Sequence, residues 1–360
     1  MQHHRLLRRG RVTLGIAAVA LTILGASAGH DRQPAGRILV IYDMEGASGV
    51  LSGATMDPAV PDSFAKGRAS LIDDVNAVIA GLFDGGATHV DVENSHGYGG
   101  DSLVPRDRLD RRAGIIREHL HPYVSSPPRG RPGYVADPPR PPYDAVVTVA
   151  MHDKPMSGGF SPHTLGAGIG PIIDGRVVTE TELVGYNFGT WGIPIIFSSG
   201  DDRLRASLAA AMPWVEYVVT KRITAPTVAE PLPAADVRRA MHDGAVRATQ
   251  ALQQSGRMKV MRLGPGFRAG LLPSFPLLLP PGIGSLPGIE KHGDSVTFVA
   301  SNYRDAFWGM FVLQRIARAF SNERAFEELD NDSAGRAMRK RIIDSTFARG
   351  GAFEAGTWRP

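Results

Sequence analysis

Two carboxylates stand two residues apart near the start of the chain, at Asp43 and Glu45. Side chains at positions i and i+2 of an extended chain point to the same side, so these carboxylates are expected to converge. If both were buried they would repel, and one would take up a proton unless a cation neutralised them. The pair therefore indicates either a metal site or a loop in which Glu45 turns outward and Asp43 caps the residues that follow.

Two imidazoles, His96 and His152, could complete such a site. Each has a simpler explanation when taken alone, because His96 lies in a turn-forming Asn-Ser-His-Gly segment and His152 could cap the end of a strand. Together with the acid pair, the two imidazoles favour a metal centre. A mixed set of carboxylates and imidazoles suits zinc, with manganese or cobalt as alternatives.

Three predicted strands would position these groups. Segment 37–42 is apolar and β-rich, and segments 89–92 and 143–150 are also predicted strands; each of the three ends shortly before one of the candidate ligands. Ligands of α/β proteins gather outside the carboxyl ends of parallel strands. The side chains at these three strand ends are therefore expected to meet at one edge of a sheet.

The order of elements predicts the fold class. Strands alternate with helices between residues 37 and 222, which is typical of an α/β fold, here a three-layer αβα domain with a largely parallel sheet. Pro226–Pro233 is the predicted junction to a smaller α+β domain, residues 230–360, that ends in a helical tail. Further helices are expected at 63–83, 115–120, 202–212, 235–254 and 303–321, and another is expected to begin at 179. Further strands are expected at 194–197, 215–219, 260–263 and 295–299, with a hairpin at 172–178. Residues 125–142 are expected to form a surface excursion, and residues 264–287 an irregular segment.

Residues 1–28 have the pattern of a signal peptide. Four arginines precede the uncharged run Val12–Ala28, which ends in Ala-Ser-Ala. This leader predicts an exported protein, periplasmic or extracellular, without stable membrane association after cleavage. The alternative is an uncleaved anchor, for which the apolar run is short.

Composition excludes several classes of function. Of the 40 Lys and Arg residues, four lie in the leader, so the remaining 36 balance the 36 Asp and Glu residues. A neutral folded part gives no electrostatic reason to expect nucleic acid as a partner. The chain has no cysteine, which excludes disulfides, thiolate metal ligands and a cysteine nucleophile.

Several motifs together resemble the zinc-dependent D-aminopeptidases of the DppA type. The opening signature of that family, a strand running into Asp-Met-Glu-Gly, stands here at Tyr42–Gly46. The similarity continues through Ser95-His96, His152, Ser161-Pro-His163, eleven residues after His152, and Val178-Thr-Glu180. It extends over nearly all of the chain after the leader, although Glu93-Asn94 replaces the family's usual Asn-Asp.

The resemblance implies a site with two zinc ions per subunit, one acid bridging them. Its ligands would be Asp43, Glu45, His96, His152 and Glu180, the last chosen over Glu182 because Glu180 keeps the family's distance to the strand at Ile193-Pro194. His163 matches the family's catalytic histidine, which is not a ligand. From the sequence alone it is a loop histidine.

The implied activity is hydrolysis of short peptides with an N-terminal D-residue, such as D-Ala-D-Ala, by a homo-oligomer that in this family is a decameric ring. Water activated by the metals would attack, with His163 as acid or base. Two alternatives remain. One is another metal-dependent amidohydrolase or a phosphoesterase on the same site, and the other is a non-catalytic periplasmic peptide-binding protein. Asp201 and Asp202, which precede a helix, are expected to be N-caps.

Overall fold

A computed structural model describes residues 36–98, 103–116, 123, 142–166, 168–254, 256–274 and 277–354. The predicted signal peptide (1–28) lies outside these residues, as does the predicted excursion apart from Pro142. In the described part of the chain, no helix is both long enough and apolar enough to cross a membrane.

The strands and helices are numbered here in chain order. The strands are β1 (Arg37–Tyr42), β2 (His89–Asn94), β3 (Gly114–Ile115), β4 (Ala145–Met151), β5 (Ile169–Ile173), β6 (Arg176–Val177), β7 (Ile195–Asp201), β8 (Glu216–Ala225), β9 (Val228–Pro231), β10 (Phe267–Pro273), β11 (Glu290–His292) and β12 (Ser295–Ala300). The helices are α1 (Pro61–Asp84), α2 (Glu180–Gly189), α3 (Asp202–Ala211), α4 (Ala234–Leu252), α5 (Tyr303–Glu328) and α6 (Ser333–Glu354).

The larger sheet has seven strands in the order β3-β2-β1-β4-β7-β8-β9. All neighbouring pairs are parallel except β8 and β9, which form an antiparallel hairpin at the edge. The central strands β1, β4 and β7 are buried along almost their whole length, and β1 and β4 are largely apolar, as is typical of parallel strands covered on both faces. Their carboxyl ends lie at one edge of the sheet.

Strand β1 shows why the domain has three layers. Ile38 and Val40 pack with α1 and α4 on one face, whereas Leu39 and Ile41 pack with α2, α3 and α5 on the other. Successive side chains of a strand point to opposite faces, so one strand serves two cores. The predicted three-layer αβα fold is confirmed.

A second sheet is antiparallel, with the order β11-β12-β10-β5-β6, and α5 packs against it. Elements on each side of the expected junction at 226–233 pack with elements from the other side. Strands β5 and β6 come from the first part of the chain and complete the second sheet, while α4 follows the junction and packs against α1.

Some local predictions were wrong. Residues 260–263 are not a strand, and β10 lies instead in the segment predicted to be irregular because of its prolines and glycines. The expected junction contains β9, which pairs with β8. Gly114–Ile115 pairs with β2 as a strand, although a helix was predicted to begin at Ile115; residues 117–120 of that prediction lie outside the described residues.

Candidate active site

The acid pair lies directly after β1, where the backbone is bound to the end of β4. The amide of Asp43 donates to the carbonyl of Val149 (2.9 Å), and the amide of Gly46 donates to the carbonyl of Ala150 (2.8 Å). Asp43 and Glu45 are only 2% and 5% exposed. The alternative in which Glu45 turns outward is therefore wrong, and two carboxylates are buried side by side.

His96 faces both members of the acid pair. Its Nδ1 lies 3.0 Å from Asp43 Oδ1 and 3.1 Å from Glu45 Oε2, and its side chain is 25% exposed. Asn94 Oδ1 accepts the backbone amide of His96 at 3.0 Å, which fixes the turn after β2. The imidazole closes the solvent-facing side of the acid pair.

His152 lies on the opposite side of Asp43 and is fully buried. Its Nε2 is 3.4 Å from Asp43 Oδ2 and 3.7 Å from Glu180 Oε2. Its Nδ1 donates to the carbonyl of Asp153 at 3.0 Å, so in the neutral ring Nε2 is the unprotonated nitrogen. Nε2 has no hydrogen bond of good geometry among the described residues, although it is buried between two carboxylates.

The charges of this cluster shift the pKa values of its members. Burial would lower the pKa of His96, but hydrogen bonds to Asp43 and Glu45 outweigh it and raise the pKa to about 11. Burial would also lower the pKa of His152, but the charges of Glu180 and Asp43 raise it to about 10. Burial would raise the pKa of Asp43, yet the neighbouring imidazoles of His152 and His96 hold that pKa well below its usual value. Without a metal, protons on His96 and His152 would offset part of the negative charge of the carboxylates.

The structure distinguishes Glu180 from Glu182 at the start of α2. Glu182 accepts hydrogen bonds from the amide of Thr179 (2.9 Å) and the guanidinium of Arg176 (2.8 Å), so its carboxylate completes a capping box with Thr179. Glu180 points toward His152. Its Oε2 lies 3.7 Å from His152 Nε2, and its role as a metal ligand stays a prediction.

His163 stacks on His152, with ring centroids 3.9 Å apart and an angle of 16° between the planes. Its Nδ1 donates to the carbonyl of Ser161 at 2.8 Å, which leaves Nε2 as the basic nitrogen. Ser161 and Leu165, on either side, have φ angles of 46° and 60°, a left-handed conformation that is costly for residues other than glycine. The loop thus holds His163 at the site in a strained backbone.

A tyrosine that the sequence did not single out also reaches the site. The hydroxyl of Tyr123 donates to Glu180 Oε2, and the backbone amide of Leu165 donates to Glu180 Oε1 at 2.7 Å. Tyr123 precedes the proline-rich excursion, and no motif or periodicity marks it. Only its tertiary position reveals the contact.

Two side chains of strand β8 bind the backbone of the loop that carries the acid pair. The Lys221 Nζ donates to the carbonyl oxygens of Glu45 and Val50 and lies 4.5 Å from the centre of the Phe160 ring. Thr220 Oγ1 donates to the carbonyl of Gly46 at 2.6 Å. These bonds hold the loop after β1 by its backbone. Burial lowers the pKa of Lys221 to about 7.

Asp201 has the structural role expected from its position. Its Oδ1 accepts the amides of Arg203 and Leu204 at the start of α3, and its Oδ2 accepts the amide of Phe160. The predicted N-cap is confirmed for Asp201. Asp202 lies in the first turn of α3, and its Oδ1 accepts the amide of Ile223 at 3.0 Å.

The donor atoms fit a metal centre. Asp43, Glu45 and His152 each place one ligand atom within 4.8 Å of the others, and so do His152, His163 and Glu180. Three buried carboxylates with imidazole nitrogens form the kind of donor set that holds divalent cations. The unpartnered Nε2 of His152 is explained if a cation binds there.

Comparisons with known proteins agree with this arrangement. The D-aminopeptidase family, peptidase M55, matches residues 37–269. A D-aminopeptidase of Bacillus subtilis (strain 168) is 25% identical over 285 residues, which cover 78% of this chain and 97% of that protein. A solved structure described as "Zn-dependent D-aminopeptidase DppA from Bacillus subtilis, a self-compartmentalizing protease" has the same fold, with a TM-score of 0.65, 21% identity and coverage of 78% of this chain and 98% of that chain. Because the family match spans more than half of its residues, the chain belongs to the D-aminopeptidase family.

Proposed function

We propose that this chain is an exported dinuclear zinc aminopeptidase that removes an N-terminal D-residue from short peptides. The observation that carries the two-ion site is the position of Asp43. One of its oxygens faces His96 and Glu45, and the other faces His152, beyond which Glu180 lies. A carboxylate between two donor sets suits the bridging ligand of a metal pair.

The ligands proposed are Asp43, Glu45, His96, His152 and Glu180. When bound, zinc would lower the pKa of a water molecule and polarise the scissile carbonyl. The three buried carboxylates would offset three of the four positive charges of a zinc pair.

His163 is proposed to move protons rather than to bind metal. Its Nδ1 is held by the carbonyl of Ser161, so Nε2 is the atom that can accept a proton and donate it to the leaving amine. Stacking on His152 fixes the plane of the ring beside the metal ligands. A rigid ring in this position can serve a reacting group bound at the site.

The substrate, assembly and location are proposed from relatives and from the leader. The related protein of Bacillus subtilis is a D-aminopeptidase, which supports peptides such as D-Ala-D-Ala. A solved relative is described as a self-compartmentalizing protease, which supports a homo-oligomer. The decameric ring is proposed on the family resemblance alone. The basic and apolar residues 1–28 support export to the periplasm or the extracellular space.

Metal analysis combined with a peptidase assay tests this function. Protein purified without added zinc should contain two zinc ions per chain and release D-alanine from D-Ala-D-Ala, with L-Ala-L-Ala as the stereochemical control. Two ions without hydrolysis of either dipeptide would overturn the peptidase assignment, and hydrolysis of a phosphoester instead would favour a phosphoesterase. A chain that binds no zinc would overturn the metal site itself.

A further inference from the structure

The carboxylate of Glu180 accepts one hydrogen bond on each of its two oxygens. The backbone amide of Leu165 binds Oε1 at 2.7 Å, and the hydroxyl of Tyr123 binds Oε2, the same oxygen that faces His152 Nε2 at 3.7 Å. A glutamate side chain has three rotatable bonds, so without such donors its carboxylate would sample several orientations. The two bonds together fix the direction in which Oε2 points.

Tyr123 is itself anchored by its backbone. The hydroxyl of Tyr303, the first residue of α5, donates to the carbonyl of Tyr123 at 2.8 Å, and Tyr303 also lies 2.9 Å from the carbonyl of Leu183 in α2. Tyr123 is 6% exposed and packs in the core shared by α2 and α5. The phenol therefore approaches Glu180 from a fixed support that does not depend on the phenol itself.

The phenol can only be a donor to this carboxylate. A phenol has one O–H proton to donate, and a carboxylate offers only acceptor oxygens. A carboxylate oxygen has more than one lone pair, so Oε2 can accept this hydrogen bond and still bind a cation through another lone pair. The hydrogen bond and metal binding are compatible.

We propose that Tyr123 is a positioning residue that orients Glu180 toward His152 for zinc binding. This inference rests on the proposed function, since it assigns Glu180 as a ligand. Removing an outer partner of a metal ligand typically lowers metal affinity about 10- to 100-fold. The Tyr123→Phe variant should show a loss of that size, because it deletes the hydroxyl and keeps the ring and the backbone anchor.

The test is zinc affinity, measured by competition with a chelator of known strength on the full chain. Tyr143→Phe is the matched control, because its hydroxyl also donates to a carboxylate, Asp91 Oδ2 at 2.9 Å, but at a place apart from the proposed ligands. Tyr123→Phe should weaken zinc binding about 10- to 100-fold while Tyr143→Phe leaves it unchanged. Unfolding of each variant in excess chelator shows whether either change simply disturbs the fold.

A double-mutant cycle separates positioning of Glu180 from a general effect. In a Glu180→Ala background, Tyr123→Phe should cause no further loss of zinc affinity, because the partner it orients is absent. An equal loss in both backgrounds, or unchanged affinity in Tyr123→Phe alone, would overturn the inference. Wild-type protein that binds no zinc would overturn the proposed function instead, so the two failures are distinguishable.

Discussion

Zinc binding should release protons from His96 and His152. In the metal-free protein the acid pair and Glu180 raise the pKa values of these imidazoles to about 11 and about 10. At pH 8 both rings are then protonated, although a histidine in water, with a pKa of about 6.5, would be almost fully neutral. A ligand imidazole must be neutral, so each ring has to lose its proton when zinc binds.

The size of the effect follows from these values. Two protons should leave the two imidazoles at pH 8, and the affinity for each ion should rise about tenfold, or ~1.4 kcal/mol, for every pH unit between 7 and 9. Histidines with ordinary pKa values would give almost no release and no such slope over this range. The two cases therefore differ by about two protons.

Isothermal titration calorimetry measures the release directly. Zinc is titrated into chelator-treated protein at pH 8 in two buffers with different ionisation enthalpies, and the difference in heat gives the proton count. A metal-bound water with a pKa near 7 can add a proton, so the His96→Gln variant is needed as a comparison. If the variant and the wild type release the same number of protons, the charge balance inferred for this cluster is wrong.

Three further predictions concern single residues. His163→Ala should lower kcat for D-Ala-D-Ala hydrolysis by about 10²- to 10⁴-fold and leave two zinc ions bound, because the ring moves protons and does not hold the metal. Glu182→Ala should lower the free energy of unfolding by ~1–3 kcal/mol, measured with urea, because the helix cap is lost, and should leave zinc content unchanged. Lys221→Met should lower the free energy of unfolding by ~2–6 kcal/mol in the same assay, because two buried carbonyls lose their hydrogen-bond donor. Burial lowers the pKa of Lys221 to about 7, below the value of the unfolded chain, so the advantage of the wild type over this variant should grow as pH rises from 7 toward 10.

These predictions have clear contrary outcomes. Loss of zinc from His163→Ala would make His163 a ligand, which its position beside His152 and Glu180 also permits. Loss of zinc from Glu182→Ala with an intact helix would reverse the assignment of the two glutamates. An unchanged unfolding free energy in Lys221→Met would mean that the loop after β1 is held by its other bonds.

The part of the site carried by β1, β2 and β4 could be predicted from the sequence. The three strands are short and parallel, so their carboxyl ends had to lie at one edge of the sheet. Asp43, His96 and His152 follow those ends. His96 Nδ1 lies 3.0 Å from Asp43 Oδ1, and His152 Nε2 lies 3.4 Å from Asp43 Oδ2.

Other site residues could not be derived from periodicity. Glu180 begins a helix that follows a hairpin of the second sheet, and His163 lies in an irregular loop, so only the family resemblance indicated either of them. Tyr123 had no signal of any kind, because its role depends on an anchor 180 residues away at Tyr303. Long-range contacts of this type leave no mark on the local sequence.

The strands β9 and β10 were missed for a common reason. Strand β10 contains Gly270 and ends at Pro273, and β9 ends at Pro231, so both segments were interpreted as turns or linkers. Glycine and proline disfavour strands on average, but pairing with a neighbouring strand can override that preference. In β10, Gly270 is needed for packing, since a Cβ there would lie 2.1 Å from the carbonyl oxygen of Val296.

The loop after β1 is packed against β4 by bare backbone, and this limits how the enzyme could change. A Cβ added to Gly46 would lie 2.0 Å from the carbonyl oxygen of Met151, and one added to Gly200, on β7, would lie 2.2 Å from the same atom. Met151 immediately precedes His152, so a side chain at either glycine would push on the peptide that carries this imidazole. Variation in a library aimed at new substrates is therefore better directed to the loop around His163, while both glycines are kept invariant.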